Sequence, residues 1–322
     1  MQLTLFLPDL VSASASASIF RMPALETLLA RADTQSAPQN GDLGVLAEIF
    51  GLPADAVTVA PFTRLADTGK RDDGVYFRAD PAHLAADRDQ LVMLPQSLLQ
   101  VQPQEASALA ETFNRTYAAD GYGLEVPHPE RWYLRLPAAI ACVTHAPASL
   151  AGQPVIDYMP AGDGATLLKQ LMNEVQMLFH GHSVNQARET AGIPVINSFW
   201  PWGGGRLPVM AARGPACVIT DLPLVLGLAR FAASRCEPWP AALDERLDVP
   251  TLLLAVDVRD AADKLSDLEQ RLAAPLLARL HDGGIESLQV YPGGSRIFQI
   301  SRAGSRRFWR RRRPLSEILQ LT

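Results

Sequence analysis

The densest group of polar residues in this 322-residue chain lies between positions 180 and 206. Asn185 and Arg188 are three residues apart, so on a helix they share a face and could clamp a carboxylate or a phosphate. A structural interpretation also stands at this point. In it the helix end packs on a sheet, Arg188 pairs with an acidic neighbour, and His180 and His182 are hydrogen-bonded.

Three consecutive glycines follow Trp202 and allow a close approach of the backbone to a ligand. They form neither GxGxxG nor a P-loop, so they indicate nucleotide binding only weakly, yet loops at strand ends of parallel sheets are where ligands usually bind. Trp200 and Trp202 could wall such a pocket or fill the core. The predicted ligand-binding residues are His180, His182, Asn185, Arg188, Asn197, Trp200, Trp202, Gly203, Gly204, Gly205 and Arg206.

The sequence does not indicate metal or cofactor binding. His180 and His182 form the only close histidine pair, and apart from Glu174 and Glu189 no carboxylate or cysteine nearby completes a site. The three cysteines are widely separated and form no CxxC pair, which is typical of buried thiols. No GxSxG motif marks a catalytic serine. We therefore expect no metal and no cofactor.

A basic run with two aromatic residues, RRFWRRRR, occupies positions 306–313. It could dock an acidic protein partner or contact phosphates, with Phe308 and Trp309 as anchors. We favour the alternative in which the segment is an extended strand, ended by Pro314, and at least one ring packs on the core. The apolar spacing that follows predicts a short closing helix. Its buried face would contain Leu315, Ile318 and Leu319.

The composition is that of an ordinary globular protein, with 48% hydrophobic and 20% charged residues and a net charge of −5. A negative net charge argues against a general nucleic-acid or membrane-surface binder, because both need a broad positive field. The N-terminal apolar stretch is short and has no basic residues before it, so we expect no signal peptide. No segment approaches the roughly 18 apolar residues of a membrane span. These observations predict a cytoplasmic protein.

Hydrophobic periodicity predicts that strands and helices alternate along the chain. The predicted strands are 3–7, 75–78, 90–93, 132–136, 195–199, 217–220 and 252–256. The predicted helices are 23–31, 42–50, 104–117, 222–233, 261–280 and a helix after residue 164 with an apolar stripe of Leu167, Leu171, Val175 and Leu178. The Ser/Ala-rich stretch 12–18 is predicted to be a mobile loop.

Strands separated by helices of ten or more residues argue for an α/β fold with a doubly wound, mostly parallel sheet. The pattern changes at Gly74, where strands become more closely spaced. We therefore predict a core domain made of residues 1–72 and 190–322, with a smaller inserted α+β domain made of residues 73–189.

Four collinear segments resemble the archaeal-type cofactor-independent phosphoglycerate mutases. They are MPALETLLARA at 22–32, LAEIFGLP at 46–53, GVYFRAD at 74–80 and HSVNQARETAGIPVINSFWPWGGGRLP at 182–208. The last is similar to that family's His-Pro-x-Asn-x-x-Arg run, which is followed by Gly, then Asn and a glycine-rich turn.

A second resemblance, to the proteobacterial RpfE-type regulatory protein family, covers the whole chain. The segments WYLRLP at 132–137, NEVQMLFH at 173–180, NSFWPWGGG at 197–205 and RRFWRR at 306–311 carry it. Members of this family are often labelled phosphoglycerate-mutase-like. The resemblance implies a core of the alkaline phosphatase superfamily with an inserted domain.

The chain departs from the active mutases at positions that their chemistry requires. The resemblance places their first metal-binding aspartate at Asp9, and their phosphorylated serine and adjacent metal-binding aspartate at Asp42 and Leu43. Leucine cannot bind a metal, and aspartate is not the usual phosphoryl carrier on this fold. The remaining ligands are Asp and His residues in the C-terminal third, where His281 is the only histidine after His182. Because two metal ions need many anionic or imidazole ligands, the departures imply that the metal chemistry is lost.

We therefore expect a phosphoglycerate-mutase-like protein that lacks the two-metal site. It would act as a regulatory protein or bind a small phosphorylated or carboxylated ligand in a cleft between the two predicted domains. The alternative is an active phosphomutase or phosphatase with a rearranged site around Asp9, Asp42, His180 and His182. A third possibility is a protein-interaction module that works through the basic segment 306–313.

Overall fold

The computed structural model describes residues 1–16, 21–87, 90–150, 153–239, 249–258 and 262–320. The chain divides into two compact units. Unit 1 contains residues 1–57 and 209–322, and unit 2 contains residues 58–208. Both boundaries differ from the predicted ones at 72 and 190, because a helix at 59–68 and a strand at 198–205 pack and pair within unit 2.

Unit 1 is built from two separate segments of the chain. The first contains β1 (Gln2–Phe6), α1 (Leu10–Ser16), α2 (Pro23–Arg31), β2 (Asp33–Ser36) and α3 (Gly41–Ile49).

Unit 2 follows in the sequence. It contains α4 (Val59–Thr68), β3 (Val75–Ala82), β4 (Leu84–Asp87), β5 (Gln90–Met93), α5 (Pro103–Tyr117), β6 (Gly123–His128), β7 (Arg131–Leu136), α6 (Ala165–His180), α7 (Ser183–Thr190) and β8 (Ser198–Gly205).

The second segment of unit 1 completes its sheet. It contains β9 (Cys217–Thr220), α8 (Pro223–Phe231), β10 (Arg235–Glu237), β11 (Thr251–Ala255), α9 (Ala262–Asp267), α10 (Ala274–Asp282), β12 (Ser287–Tyr291), β13 (Arg296–Ser301), α11 (Arg302–Ser305) and α12 (Leu315–Gln320), with π-helical turns at Leu268–Ala273.

The sheet of unit 1 is large and mostly parallel. Its seven strands have the order β10-β9-β11-β1-β12-β13-β2, in which the first five are parallel and the last two antiparallel to their neighbours. Leu3 and Leu5 of β1 face a core formed with α2, α10 and α12. On the opposite face, Val45 and Ile49 of α3 line a surface depression together with Thr4. Helices therefore cover both faces of the sheet, as is typical of mostly parallel sheets.

The main sheet of unit 2 has four antiparallel strands in the order β6-β7-β3-β8, and β4 and β5 form a separate ribbon. Because side chains alternate across a strand, the odd-numbered residues of β3 face an apolar core with α5 and α6. Its even-numbered residues Tyr76, Arg78 and Asp80 face the other side. Among the described residues, no helix combines the length and apolar character needed to cross a bilayer.

Most predicted elements are present, and the closing helix is confirmed. α12 begins at Leu315, and Leu315, Ile318 and Leu319 are its buried residues. The helix after residue 164 is also present as α6, but its buried face is centred on Leu168, Leu171, Met172, Val175 and Phe179. The predicted stripe is therefore rotated, since Leu167 and Leu178 are only partly buried.

Two predictions about local structure are wrong. The Ser/Ala stretch predicted as a loop is helical from Leu10 to Ser16, because Leu10 is buried and α1 packs against α12. Residues 17 and 18 of that prediction lie outside the described residues. The strand predicted at 195–199 begins only at Ser198 and continues through Gly205, so the three glycines are part of β8 rather than of a turn.

The segment 306–313 is not an extended strand that buries its aromatic residues. Phe308 and Trp309 are 78% and 65% exposed. Their rings contact each other edge to face, with centroids 5.3 Å apart. The predicted packing of these two rings on the core is therefore wrong, and arginine side chains make the contacts to unit 1 instead.

Candidate functional site

Asn185 is a buried residue of α7 whose amide group is used internally. Its Nδ2 donates to the carbonyl oxygens of Phe179 and Ile196 at 2.9 and 2.8 Å. Its Oδ1 accepts a hydrogen bond from the amide of Ile196 at 2.8 Å. The side chain thus pairs with Ile196 as a neighbouring strand would, which explains why the segment before β8 is not a strand.

Arg188 is 1% exposed and its guanidinium is held by three oxygen atoms. Nε donates to the Pro194 carbonyl at 2.7 Å, Nη1 donates to Glu105 Oε2 at 2.6 Å, and Nη2 donates to the Leu99 carbonyl. The same oxygen of Glu105 accepts from the amide of Gln102 at the start of α5. These are the contacts of the structural interpretation, and a ligand would have to displace one of them to reach Arg188.

The two predicted histidines have different surroundings. His180 is exposed at the end of α6. His182 is the N-cap residue of α7, and its Nδ1 accepts from the amide of Val184 at 3.2 Å while Nε2 lies 3.0 Å from Thr112 Oγ1. Partial burial, followed by the charge of Arg115, lowers the pKa of His182 below its ordinary value of 6.5.

Asn197 and Trp200 also bind the protein itself. The side-chain amide of Asn197 both accepts from and donates to the backbone of Leu84 at 2.8 Å. Trp200 is buried, and its Nε1 donates to the His145 carbonyl at 2.7 Å. The amide of Gly203 donates to Thr144 Oγ1 at 3.1 Å. Of the polar side chains predicted to bind a ligand, only His180 and Arg206 are exposed.

The adjacent strand contains a buried ion pair that was not predicted from the sequence. Arg78 donates to Asp80 Oδ1 from Nε and Nη2 at 2.8 and 2.6 Å, and Trp202 Nε1 donates to the other oxygen at 2.8 Å. Burial raises the pKa of Asp80, against the opposing effects of Arg78 and Trp202. The signal for this pair was its two-residue spacing, which places both side chains on one face of a strand.

Further charged residues cover this face of the sheet beside α4. Asp67 accepts two hydrogen bonds from Arg131 at 2.8 Å and one from the Tyr133 hydroxyl at 2.6 Å. Burial opposes ionisation of Asp67, but these hydrogen bonds outweigh it and hold its pKa below the usual range. Arg64 is likewise paired with Glu125 and Asp72. Each of these guanidinium groups therefore has a carboxylate partner, which makes the network self-contained.

Asp9 and Asp42 lie in unit 1, whereas the predicted residues from 180 to 206 lie in unit 2. Asp9 follows the carboxyl end of β1, and Asp42 is the second residue of α3. The hydroxyl of Tyr291, at the carboxyl end of β12, donates to Asp42 Oδ1 at 2.7 Å. Burial, followed by this contact with Asp42, raises the pKa of Tyr291. Asp42 thus lies at the edge of the sheet where ligands bind in parallel α/β folds.

The loop that carries Asp9 packs closely on the loop after β12. The amides of Leu7 and Val11 donate to the carbonyls of Tyr291 and Pro292 at 2.8 and 3.0 Å. Gly293 has a φ of +86°, and a Cβ atom there would lie 2.0 Å from the Pro8 carbonyl oxygen, so only glycine fits. The loop that carries Asp9 and the side chain of Asp42 therefore both contact the Tyr291–Gly294 segment.

Two further aspartates at this edge were not predicted. Asp221 and Asp257 follow the ends of β9 and β11, and Asp221 Oδ1 accepts from the amide of Asp257 at 3.3 Å. Even so, within the described part of the chain no three His, Cys, Asp or Glu side chains are grouped closely enough to hold a metal ion.

His281 lies at the opposite edge of the same sheet. It belongs to the end of α10, which precedes β12, and its Nδ1 is 3.4 Å from Ser305 Oγ. Asp9 follows β1, which runs parallel to β12 with Gln2 opposite Ser287. A five-residue strand separates the two edges by about 16 Å at roughly 3.3 Å per residue. The only histidine of unit 1 is therefore remote from Asp9 and Asp42.

Two proteins named as phosphoglycerate mutases are similar to this chain, and no family model matches it. The probable 2,3-bisphosphoglycerate-independent phosphoglycerate mutase of Geobacter sulfurreducens is 28% identical over 163 residues, which cover 48% of this chain and 40% of that protein. The 2,3-bisphosphoglycerate-independent phosphoglycerate mutase of Methanothrix thermoacetophila is 29% identical over 150 residues, which cover 40% and 38%. The similarity thus spans about two fifths of the length of these relatives.

The fold is shared with a solved structure over most of the chain. The PH0037 protein from Pyrococcus horikoshii matches with a TM-score of 0.53 and 15% sequence identity, over 93% of this chain and 87% of that one. The predicted mixed α/β fold with a large, mostly parallel sheet agrees with this match. In sequence, the chain is similar to the two 2,3-bisphosphoglycerate-independent phosphoglycerate mutases named above.

Proposed function

We propose that this chain is a phosphoglycerate-mutase-like protein that lacks the two-metal catalytic centre and binds a small phosphorylated or carboxylated ligand in a regulatory role. The similarity to two phosphoglycerate mutases supports the kind of protein. The regulatory role follows the resemblance of the whole chain to the RpfE-type family.

The set of metal-binding side chains carries the proposal. A two-metal centre needs several anionic or imidazole ligands around one point. In this chain Leu43 stands beside Asp42 where the mutases have a ligand, Asp42 accepts a hydrogen bond from Tyr291, and His281 lies at the far edge of the sheet. Together with the lack of any suitable group among the described residues, this argues against the metal-dependent reaction.

Arg206 is the predicted residue best suited to an anionic ligand. It is exposed and directly follows the glycines of β8, whereas the guanidinium of Arg188 is already held by protein oxygens. A guanidinium gives charge-assisted hydrogen bonds to carboxylate and phosphate oxygens. We therefore place the first contact with the ligand at Arg206.

An active phosphomutase or phosphatase with a rearranged site is the second candidate. The position of Asp9 and Asp42 at the ligand-binding edge of one sheet favours it. His180 and His182, which that mechanism would also use, belong to unit 2. Turnover without a stoichiometric metal would support this candidate.

Metal analysis and an activity assay test the catalytic part of the proposal. Purified protein is analysed for Mn, Zn and Mg, and conversion of 3-phosphoglycerate to 2-phosphoglycerate is followed by coupling to enolase. The relative from Geobacter sulfurreducens serves as the positive control. We expect no stoichiometric metal and no turnover. Two metal ions per chain, with activity that a chelator abolishes, would contradict the proposal.

Isothermal titration with 3-phosphoglycerate tests the binding part. Because Arg206 is exposed, its contact is worth about 1 kcal/mol, so Arg206→Ala should weaken binding about fivefold. Arg115→Ala removes an exposed arginine of α5, which packs against β6 at the other edge of the sheet, and should leave the affinity unchanged. If wild-type protein binds neither 3-phosphoglycerate, glycerate nor inorganic phosphate, the ligand-binding role is wrong.

A further inference from the structure

The arginine segment, residues 306–313, is fixed to unit 1 by some of its own arginines. Arg307 donates to Asp33 Oδ1 at 2.6 Å, and Arg310 donates to the Ala32 carbonyl at 2.6 Å. Arg312 Nε lies 3.5 Å from a carboxylate oxygen of Glu26, which is 1% exposed. The segment is therefore an ordered part of the surface of unit 1.

The residues between and directly after these anchors face solvent. Phe308 and Trp309 are the most exposed aromatic residues of the described chain. Arg311 and Arg313 are exposed and form no ion pair with any described residue. Trp and Arg are among the residue types enriched where binding energy is concentrated at protein interfaces.

These outward residues border a groove of about 500 Å³, which we call the arginine groove. Trp309, Arg311, Arg313 and Arg296 line it together with the apolar residues Phe298 and Ile318. Within the described residues Arg296 has no ion-pair partner either. The groove thus combines three unpaired guanidinium groups with apolar surface.

We propose that the arginine groove is a docking site for an acidic polypeptide segment that carries apolar side chains. Guanidinium groups pair with carboxylates in bidentate fashion, and the apolar lining accepts aliphatic or aromatic side chains between the carboxylates. The chain has a net charge of −5, so an acidic partner is repelled on average and attracted locally by a basic patch such as this one.

A nucleic acid is the competing occupant, since arginines and exposed aromatics also bind single strands. The groove favours the peptide because the exposed ring of Trp309 and the partly buried Ala30 offer apolar contacts that a phosphate backbone cannot use. The negative net charge of the chain also opposes a long polyanion, which extends beyond the basic patch.

Fluorescence anisotropy of the full chain with a short labelled peptide of repeating Glu-Glu-Leu triplets tests the proposal. We expect saturable binding that weakens at least tenfold in Arg311→Ala/Arg313→Ala and in Trp309→Ala, and that falls as salt is raised. Arg135→Ala/Lys169→Ala removes the same charge from exposed positions of unit 2 and should bind like the wild type. Because the mutated side chains are exposed, melting temperatures should be unchanged, which separates loss of binding from loss of fold.

Two results would overturn the proposal. One is equal affinity of the peptide for wild-type protein and for Arg311→Ala/Arg313→Ala. The other is tighter binding of a labelled single-stranded RNA of equal charge than of the peptide, which would assign the groove to nucleic acid. A repeating Gly-Ser-Leu peptide should not bind, and its binding would show that carboxylates are not recognised.

Discussion

At the scale of single residues, a buried guanidinium is costly unless oxygen atoms accept its N–H groups. Arg188 meets this requirement with Glu105 and two backbone carbonyls. We expect Arg188→Ala to lower the free energy of unfolding by about 3 kcal/mol, the lower end for a broken buried pair because Glu105 is partly exposed. Urea unfolding measures this loss, with Arg206→Ala as the exposed control. Unchanged unfolding combined with lost 3-phosphoglycerate binding would instead make Arg188 a ligand contact.

A second prediction at this scale concerns the contribution of His182 to the pH dependence of the free energy of unfolding. Its Nδ1 accepts the Val184 amide, so the neutral ring carries its proton on Nε2 beside Thr112. The pKa of His182 in the folded protein lies below the ordinary value of 6.5. The neutral ring therefore stabilises the folded state fully above pH 6.5, and this stabilisation is lost as the pH falls through the folded-state pKa. Protonation removes the helix cap, which is worth about 1 kcal/mol.

The comparison with His182→Asn measures this effect, because asparagine also caps helices but does not titrate. Chemical unfolding between pH 7.5 and 5 should show a steeper loss of stability in the wild type than in the variant. The pKa of His128 is lowered in the same direction, by burial and then by Arg131, and contributes equally to both proteins. Parallel pH profiles would contradict the proposed capping role.

The spacing of Asn185 and Arg188 correctly predicted that they share a helix, but it contains no information about what that helix faces. The carbonyls of Pro194 and Ile196 come from the segment that follows α7, whereas the carbonyl of Leu99 lies 89 residues away along the chain. Only the tertiary fold brings the carbonyl of Leu99 and the carboxylate of Glu105 to the helix, so the sequence left both the ligand and the structural interpretation open.

At the scale of elements, β8 depends on a glycine at its closest approach to β3. A Cβ atom at Gly204 would lie 2.2 Å from the ring of Phe77. We expect Gly204→Ala to cost about 2 kcal/mol, as is typical when extra atoms enter a packed core. Gly181→Ala is the matched control, because nothing lies within 4 Å of its added methyl group. Thermal unfolding compares the two variants.

Replacing Phe77 with leucine tests whether the ring is the cause. In that background the cost of Gly204→Ala should shrink, since the smaller side chain leaves room for the methyl group. An unchanged cost would show that the strain lies in the backbone of β8. If the glycines served only to let a ligand approach the backbone, the cost of Gly204→Ala would not depend on Phe77.

Elements with strong periodicity could be predicted from the sequence, while those determined by long-range contacts could not. The helix Pro23–Arg31 and the strand Cys217–Thr220 have the predicted bounds. In contrast, α1 has little apolar periodicity, and its contact with α12 joins the two ends of unit 1. In the arginine segment, alternation predicted an inward ring with Arg307 or Arg310 on the opposite side. The structure has the reverse arrangement, because Asp33 and backbone carbonyls accept hydrogen bonds from these two arginines.

At the scale of the whole molecule, alternating strands and helices predicted the large parallel sheet of unit 1. They did not predict that residues 58–208 form an antiparallel sheet with one apolar face and one charged face. The charged face could not be predicted from the sequence, because the residues that form its ion pairs, such as Asp67 and Arg131, lie far apart along the chain. The boundary of unit 2 was misplaced because β8 was assigned to the parallel sheet.

Unit 2 is continuous in sequence and contains its own core, which leads to the last prediction. We expect residues 58–208, expressed alone, to fold cooperatively, because every strand of the four-stranded sheet finds its neighbours within this range. Trp132 and Trp200 are buried, so the fragment should show blue-shifted fluorescence and a single unfolding transition. Phe113→Ala, in the same core, should cost about 3–5 kcal/mol and provides the destabilised control. Red-shifted emission without a transition would show that this sheet requires residues of unit 1 to fold.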